Sequence, residues 1–133
     1  MDMVWDGSLA VGNAVIDQEH RTLFGIFSQL QGAILDGSGG SAIGPILCAL
    51  SDYIGVHFDH EEHLMLRYGY AGYAGHKAQH DDLLQGLSQL IYRFEMGEQQ
   101  VTLDTLDFLH TWLSVHIRQE DLKLATALRR PAA

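Results

Sequence analysis

The chain has 133 residues, eight lysines and arginines against seventeen aspartates and glutamates, and a formal charge of −9. That length is one domain with a core large enough to need no disulfide, and the single cysteine, Cys48, allows no intramolecular bridge. The acidic balance repels nucleic acid and anionic lipid, and the basic residues form no cluster beyond Arg129-Arg130.

Residues 1–16 read as an irregular arm, broken by Gly7 and Gly12 and carrying an isolated Trp5. Four segments follow in which apolar residues recur three and four apart, the mark of helices with one buried face. The first spans about residues 17–36, with Asp17 as N-cap, Gly37 as stop, and a stripe of His20, Leu23, Phe24, Phe27, Leu30 and Ile34. Residues 37–41 are a turn by composition. The second helix spans about 42–67, with Pro45 in its first turn. Its stripe is Ile46, Leu50, Tyr53, Ile54, His57, Phe58, Glu61, Leu64 and Met65. A loop with three glycines and Tyr68, Tyr70 and Tyr73 covers 68–75. The third helix, about 75–96, carries His76, His80, Leu83, Leu84, Leu87, Leu90, Ile91 and Phe94 on one face and stops at Gly97. The fourth opens at Thr102 as N-cap with Asp104 in its first turn, and its stripe is Leu106, Leu109, Leu113, His116, Ile117 and Leu124, with Pro131 beyond its end.

No segment reads as a strand. Four long helices with short connections predict an all-α fold, an antiparallel up-down-up-down four-helix bundle over 17–128, within one domain of residues 1–133. No apolar run is expected to approach the roughly 18 residues of a membrane span. The N-terminus lacks the basic flank and apolar stretch of a signal peptide. With a lone cysteine suited to a reducing compartment, the expected location is the cytoplasm, without membrane insertion.

The chemistry lies in polar residues set in phase with leucines and phenylalanines. His20, His57, Glu61, His76, His80 and His116 all fall on core-facing stripes, where an unpartnered imidazole or carboxylate is costly. One such histidine is ordinarily a hydrogen-bonded core residue. Six polar residues in phase across four helices are met together by a metal centre. Topology supports this: His20 opens the first helix, His57 and Glu61 lie late in the second, His76 and His80 open the third, and His116 lies late in the fourth. In an antiparallel bundle those places share one end. The His57/Glu61 and His76/His80 pairs are spaced i, i+4, one turn apart on one face. Asp121 follows His116 by five residues, about 140° around an ideal helix, so it joins the site only if the helix end is bent or widened. By spacing alone it is equally a solvated acid of the last turn.

The motifs Ile-Asp-Gln-Glu-His ending at His20, His-Phe-Asp-His-Glu-Glu from His57, His-Lys-Ala-Gln-His from His76 and His-Ile-Arg-Gln-Glu-Asp from His116 resemble the hemerythrins, most nearly their stand-alone bacterial branch. Trp5, Glu62 and Trp112 fit the same pattern, and the resemblance covers nearly the whole chain. It implies two non-haem irons, one held by His76, His80 and His116 and the other by His20 and His57. Glu61, Asp121 and an oxo or hydroxo group would bridge them. Counting ligands on that assignment leaves an open position on the two-histidine iron, where dioxygen would bind reversibly. Imidazole also accepts zinc, copper or nickel, so residue type alone does not fix the metal. Leu23, Phe24, Phe58, Leu113 and Ile117 are expected to form a dry oxygen pocket, beyond their packing role. Trp112, Asp17 and Glu62 are candidates for steadying ligand imidazoles, with helix capping the equal alternative for Asp17 and simple solvation for Glu62.

His60-Glu61-Glu62-His63 is not the His-Glu-x-x-His zinc peptidase pattern, because position 64 is Leu64. His60, His63 and His110 are expected at the surface or behind the ligands. No Glu-x-x-His pair of the ferritin-like oxidases occurs. The leading expectation is therefore an oxygen-binding protein for storage, delivery or sensing, and not an enzyme. The alternatives are a redox-active di-iron enzyme of peroxidase or nitric-oxide-handling type, and an oxygen or redox sensor. Dioxygen is the expected partner, with an unidentified protein acceptor of oxygen or electrons beside it.

Overall fold

The computed structural model describes residues 5–129 and is entirely helical among them. A short 3₁₀ turn, Gly7–Leu9, lies in the N-terminal arm. The helices are α1 (Ala14–Leu35), α2 (Gly40–Arg67), α3 (Tyr73–Glu95), α4 (Leu103–His116) and α5 (Leu122–Arg129), with a π-helical turn, Ile117–Asp121, joining the last two. α5 continues the path of α4, so four helical rods form the predicted bundle. α1 packs on α2, α2 on α3, and α4 returns to α1. The expected arm residues 1–4, Arg130 and the stop at Pro131 lie outside the described residues.

Several boundaries differ from expectation for local reasons. α1 begins three residues early because Asn13, not Asp17, is its N-cap: the Asn13 side chain accepts from the Val15 and Ile16 amides at 3.1 Å each. Asp17, one turn inside, reaches back and accepts from the amides of Val11 (2.8 Å) and Gly12 (3.3 Å), tying the arm to the helix. Gly12 permits that approach, since its φ is +85° and a Cβ there would strike the Arg129 guanidinium. α2 begins at Gly40, which moves Pro45 into the second turn, where it leaves the exposed Ser41 carbonyl without its helical donor. α3 begins at Tyr73, two residues before the expected start. α1 ends as expected: Gly37 adopts φ +70°, and the Gly37 and Ser38 amides close back onto Ile34 and Ala33. Thr102 caps α4, its hydroxyl accepting from the Thr105 amide.

The core is the set of predicted stripes with Leu9, Val11, Ile16, Ile43, Leu47, Val101 and Ala125 added, and Phe24, Phe27, Phe58, Leu50, Leu87, Leu106 and Leu113 are essentially inaccessible. Ile34, Ile46, Tyr53, Leu64, Leu84, Ile91 and Phe94 lie at its margin, half-buried. One expectation needs correcting. α2 contains an 18-residue window of mean hydropathy 1.2, apolar enough by length and composition to cross a membrane. Its apolar residues Ile43, Leu47, Leu50, Ile54 and Phe58 are the core of the bundle, and the same face carries His57 and Glu61. That is the pattern of a core helix, which passes the same test.

A candidate metal centre

The helices deliver the polar stripe residues to one end of the bundle. His20 lies in the second turn of α1, His57 and Glu61 in the second half of α2, His76 and His80 in the first three turns of α3, and His116 at the end of α4. Asp121 closes the π turn. Hydrogen bonding from i to i+5 widens that turn, so a residue five positions on returns to the face it would otherwise leave by about 140°. All seven residues are buried to within 2% of complete.

Their atoms form two overlapping sets. Glu61, His76, His80, His116 and Asp121 each offer a ligand atom within 4.8 Å of the others, and so do His20, His57, Glu61 and Asp121. The two carboxylates belong to both sets, and each divides its oxygens between them. Glu61 Oε1 lies 3.1 Å from His80 Nε2 and 3.4 Å from His76 Nε2, while Oε2 lies 3.2 Å from His57 Nε2 and 3.9 Å from His20 Nε2. Asp121 Oδ1 lies 3.0 Å from His76 Nε2 and 3.2 Å from His116 Nε2, while Oδ2 lies 2.9 Å from His20 Nε2. The Nε2 atoms of His80 and His116 face each other at 3.2 Å. Every inward atom is therefore an imidazole Nε2 or a carboxylate oxygen.

These contacts suit shared cations better than hydrogen bonds. The Nε2 atoms of His20, His57 and His76, both Glu61 oxygens and both Asp121 oxygens are buried and make no hydrogen bond, despite the short separations. Buried polar atoms without partners are rare and expensive. Ligands at right angles and about 2.1 Å from a common ion stand about 3.0 Å apart, close to most of the spacings here. A donor set of nitrogens and carboxylate oxygens suits iron, manganese or zinc rather than calcium. The electrostatics agree. Burial opposes the charged form of His57, but Glu61, Glu19 and Asp121 outweigh it and raise its pKa to about 10. His76 rises to about 9 against the same burial, through contact with Asp121 and Glu61. Burial and the Asp121 charge push the Glu61 carboxyl up, yet His57 and His76 hold it well below the usual carboxylate range. Asp121 is also held low, by His116, His20 and His76 against burial. Cationic charge is what this cage is built to receive.

Outside the cage, three imidazoles are fixed through their outer nitrogens. His80 Nδ1 meets Glu62 Oε2 at 2.9 Å, as the sequence suggested. His57 Nδ1 meets Glu19 Oε1 at 2.9 Å, and His116 Nδ1 meets Gln79 Oε1 at 2.8 Å. Glu19 and Gln79 escape a reading by periodicity, because each sits beside a cage histidine on its own helix but acts on a cage histidine of another one. Their only sequence signal is a carboxylate or amide adjoining a ligand histidine. The bonds of Asp17 hold the arm. Trp112 lies flat along His116, with centroids 5.0 Å apart and planes 12° apart.

Phe58 stacks on His80 at 3.7 Å and 3°, and Leu23, Phe24, Phe58, Leu113 and Ile117 are 0–1% exposed. His60 is 55% exposed and shares Glu19 with His57, whereas His63 is 75% exposed. His110 is half-buried, edge-on to Phe24 and Phe27. Cys48 is half-buried.

Comparison with known proteins agrees with this geometry. Residues 11–128 match the Hemerythrin HHE cation binding domain. The chain is 40% identical over 105 residues to a bacteriohemerythrin of Methylococcus capsulatus, covering 79% of each chain. It is 32% identical over 127 residues to one of Stenotrophomonas maltophilia, covering 96% of this chain and 82% of that one. A crystal structure of wild-type hemerythrin superposes with a TM-score of 0.90 at 34% identity, over 96% of this chain and 98% of the other. Family match, relatives and fold concur on one assignment, and the chain belongs to the hemerythrin family.

Proposed function

We propose that this protein holds two iron ions and binds dioxygen reversibly. His76, His80 and His116 are the ligands of one ion, His20 and His57 of the other, and Glu61 and Asp121 bridge both. The observation that carries this reading is the asymmetry of the two sets. Both share the same two carboxylates, but one has three imidazoles and the other two. Iron held there would supply reducing electrons to dioxygen, with fewer side-chain ligands on the two-histidine side.

The chain's own residues define how that chemistry is contained. Glu61 and Asp121 fix the spacing of the two sets by splitting their oxygens between them. Glu19, Glu62 and Gln79 hold the His57, His80 and His116 rings in orientation and keep each outer nitrogen engaged, which leaves Nε2 free to bind. Leu23, Phe24, Phe58, Leu113 and Ile117 exclude water, and a dry surround favours reversible binding over irreversible oxidation.

Metal analysis and visible spectra test this, on protein reduced anaerobically and then cycled between air and argon. The expected result is one iron for each ligand set and a visible band that grows in air and fades under argon. A band that forms once and does not reverse would favour a redox enzyme or sensor. Absence of iron after anaerobic reconstitution would overturn the assignment.

A further inference from the structure

The seam between α3 and α4 is open. α4 packs on α1, and along its other side run two adjoining cavities of about 380 Å³ and 310 Å³. Leu83, Leu87, Leu90 and Leu109 line the first, and Gln79, Val115, His116 and Gln119 the second. Phe108 and Trp112 line both. Phe108 is 69% exposed at the rim and joins the two cavities into one apolar surface with Trp112. The second cavity thus reaches the edge of His116, the residue on which the Trp112 ring is stacked. Their volumes lie in or near the roughly 300–1,000 Å³ range of small-molecule sites.

Charge narrows the occupant. In the second cavity the side chains other than His116 are uncharged, and the first is lined by one acidic and one basic side chain, Asp82 and Arg93, so neither cavity carries a net charge of its own. The whole chain carries −9. Phosphate-bearing carriers such as flavin or nicotinamide nucleotides are repelled by that field, whereas a neutral planar molecule is not. The walls offer aromatic faces and leucines, which suit a neutral aromatic ring.

We propose that the α3–α4 cleft docks a neutral quinol, and that Trp112 is the contact through which its electrons reach the His116 side of the metal centre. This rests on the di-iron reading. The quinol gives up two electrons and two protons and becomes the quinone. One electron goes to each of two iron(III) ions, forming two iron(II), and the protons leave to solvent. The oxidised centre is thereby returned to the state that takes up dioxygen, from the side away from the two-histidine set.

The test has two arms. In the first, Trp5→Phe protein leaves Trp112 as the only tryptophan, and zinc replaces iron so that fluorescence is readable. Duroquinone, which has no free ring position for thiols to attack, is titrated in. The expected result is saturable quenching, weakened roughly tenfold by Phe108→Ser, the scale of one lost aromatic contact, and unchanged by Leu66→Ser at an exposed site on α2. In the second arm, durohydroquinone reduces the iron(III) protein. Phe108→Ser and Trp112→Leu are expected to slow it by about the same factor, Trp112→Phe to retain it, and dithionite reduction of Phe108→Ser to stay within about twofold. Non-saturable quenching, quenching indifferent to Phe108, or a dimer burying Phe108 at assay concentrations would overturn the proposal. Saturable, Phe108-dependent quenching in a protein that fails to take up iron on anaerobic reconstitution would keep the quinone site and sink the di-iron reading instead.

Discussion

Removing the metal should strip this protein of much of its stability, and the structure sets the scale. The Nε2 atoms of His20, His57 and His76 and the four oxygens of Glu61 and Asp121 are buried with no hydrogen bond to satisfy them. An unsatisfied buried polar atom costs about 1–3 kcal/mol, so these seven sum to roughly 7–20 kcal/mol without a metal. That is as large as the whole stability of a typical domain, about 5–15 kcal/mol. Protons taken up by His57 and His76, and water entering the opened end, offset part of it. If two thirds is recovered, about 2–7 kcal/mol remains, or roughly 10–25 °C in Tm for a domain of this size. The assay is thermal unfolding followed by far-ultraviolet circular dichroism, on iron-loaded protein and on protein reduced and stripped with a ferrous chelator. Reloading with redox-inert zinc should restore most of the loss, because the effect is satisfaction of buried atoms and not redox chemistry. A stripped protein melting within about 3 °C of the loaded one would refute the reasoning.

Three further outcomes follow from the same geometry. With pKa values raised to about 10 and about 9, His57 and His76 both carry protons at pH 7 in stripped protein, so metal loading should release about two protons per chain, measurable with an indicator dye in weak buffer. The stripped protein should also have a bounded pH window. Stability from the two raised histidines is complete below the unfolded value near 6.5 and lost as pH climbs through about 9 to 10, while that from the depressed Glu61 and Asp121 is present above their ordinary values and lost on acidification. Urea midpoints at pH 3, 7 and 10.5 should therefore peak at pH 7, and a flat profile would contradict the assignment. Glu19→Ala removes the partner of His57 Nδ1 and should weaken metal retention about 10- to 100-fold in competition with a chromogenic chelator, whereas no change would make Glu19 a surface acid only.

Helix identity and the ligand faces were legible because both follow one periodicity. The i, i+3, i+4 recurrence that marks Leu23, Phe58 and Leu83 as core also marks His20, His57 and His80, and short connections bring them to one end. Asp121 marks the limit of that logic. Its five-residue spacing contradicts an α-helix, and only the π turn Ile117–Asp121 resolves it. A widened turn leaves no periodic trace, so the resemblance to a family carried that residue. Asp17 misled because it is a good capping residue four positions after another one, Asn13. Glu19 and Gln79 were missed because they act on residues 38 and 37 positions away, across helix interfaces that periodicity does not address. The candidate quinol cleft was equally hidden: Phe108 and Trp112 look like ordinary helix residues until α3 and α4 are seen to part.

The most direct test of the central claim is oxygen stoichiometry. Protein loaded with iron and reduced under argon is mixed with a known amount of dioxygen, and the free gas is followed with an electrode through uptake and subsequent purging. The account predicts uptake of one dioxygen for each pair of ligand sets, recovered nearly in full on purging and repeatable without added reductant. Uptake that is not returned, with the iron left oxidised after the first cycle, would contradict reversible binding and mark the centre as a consumer of oxygen.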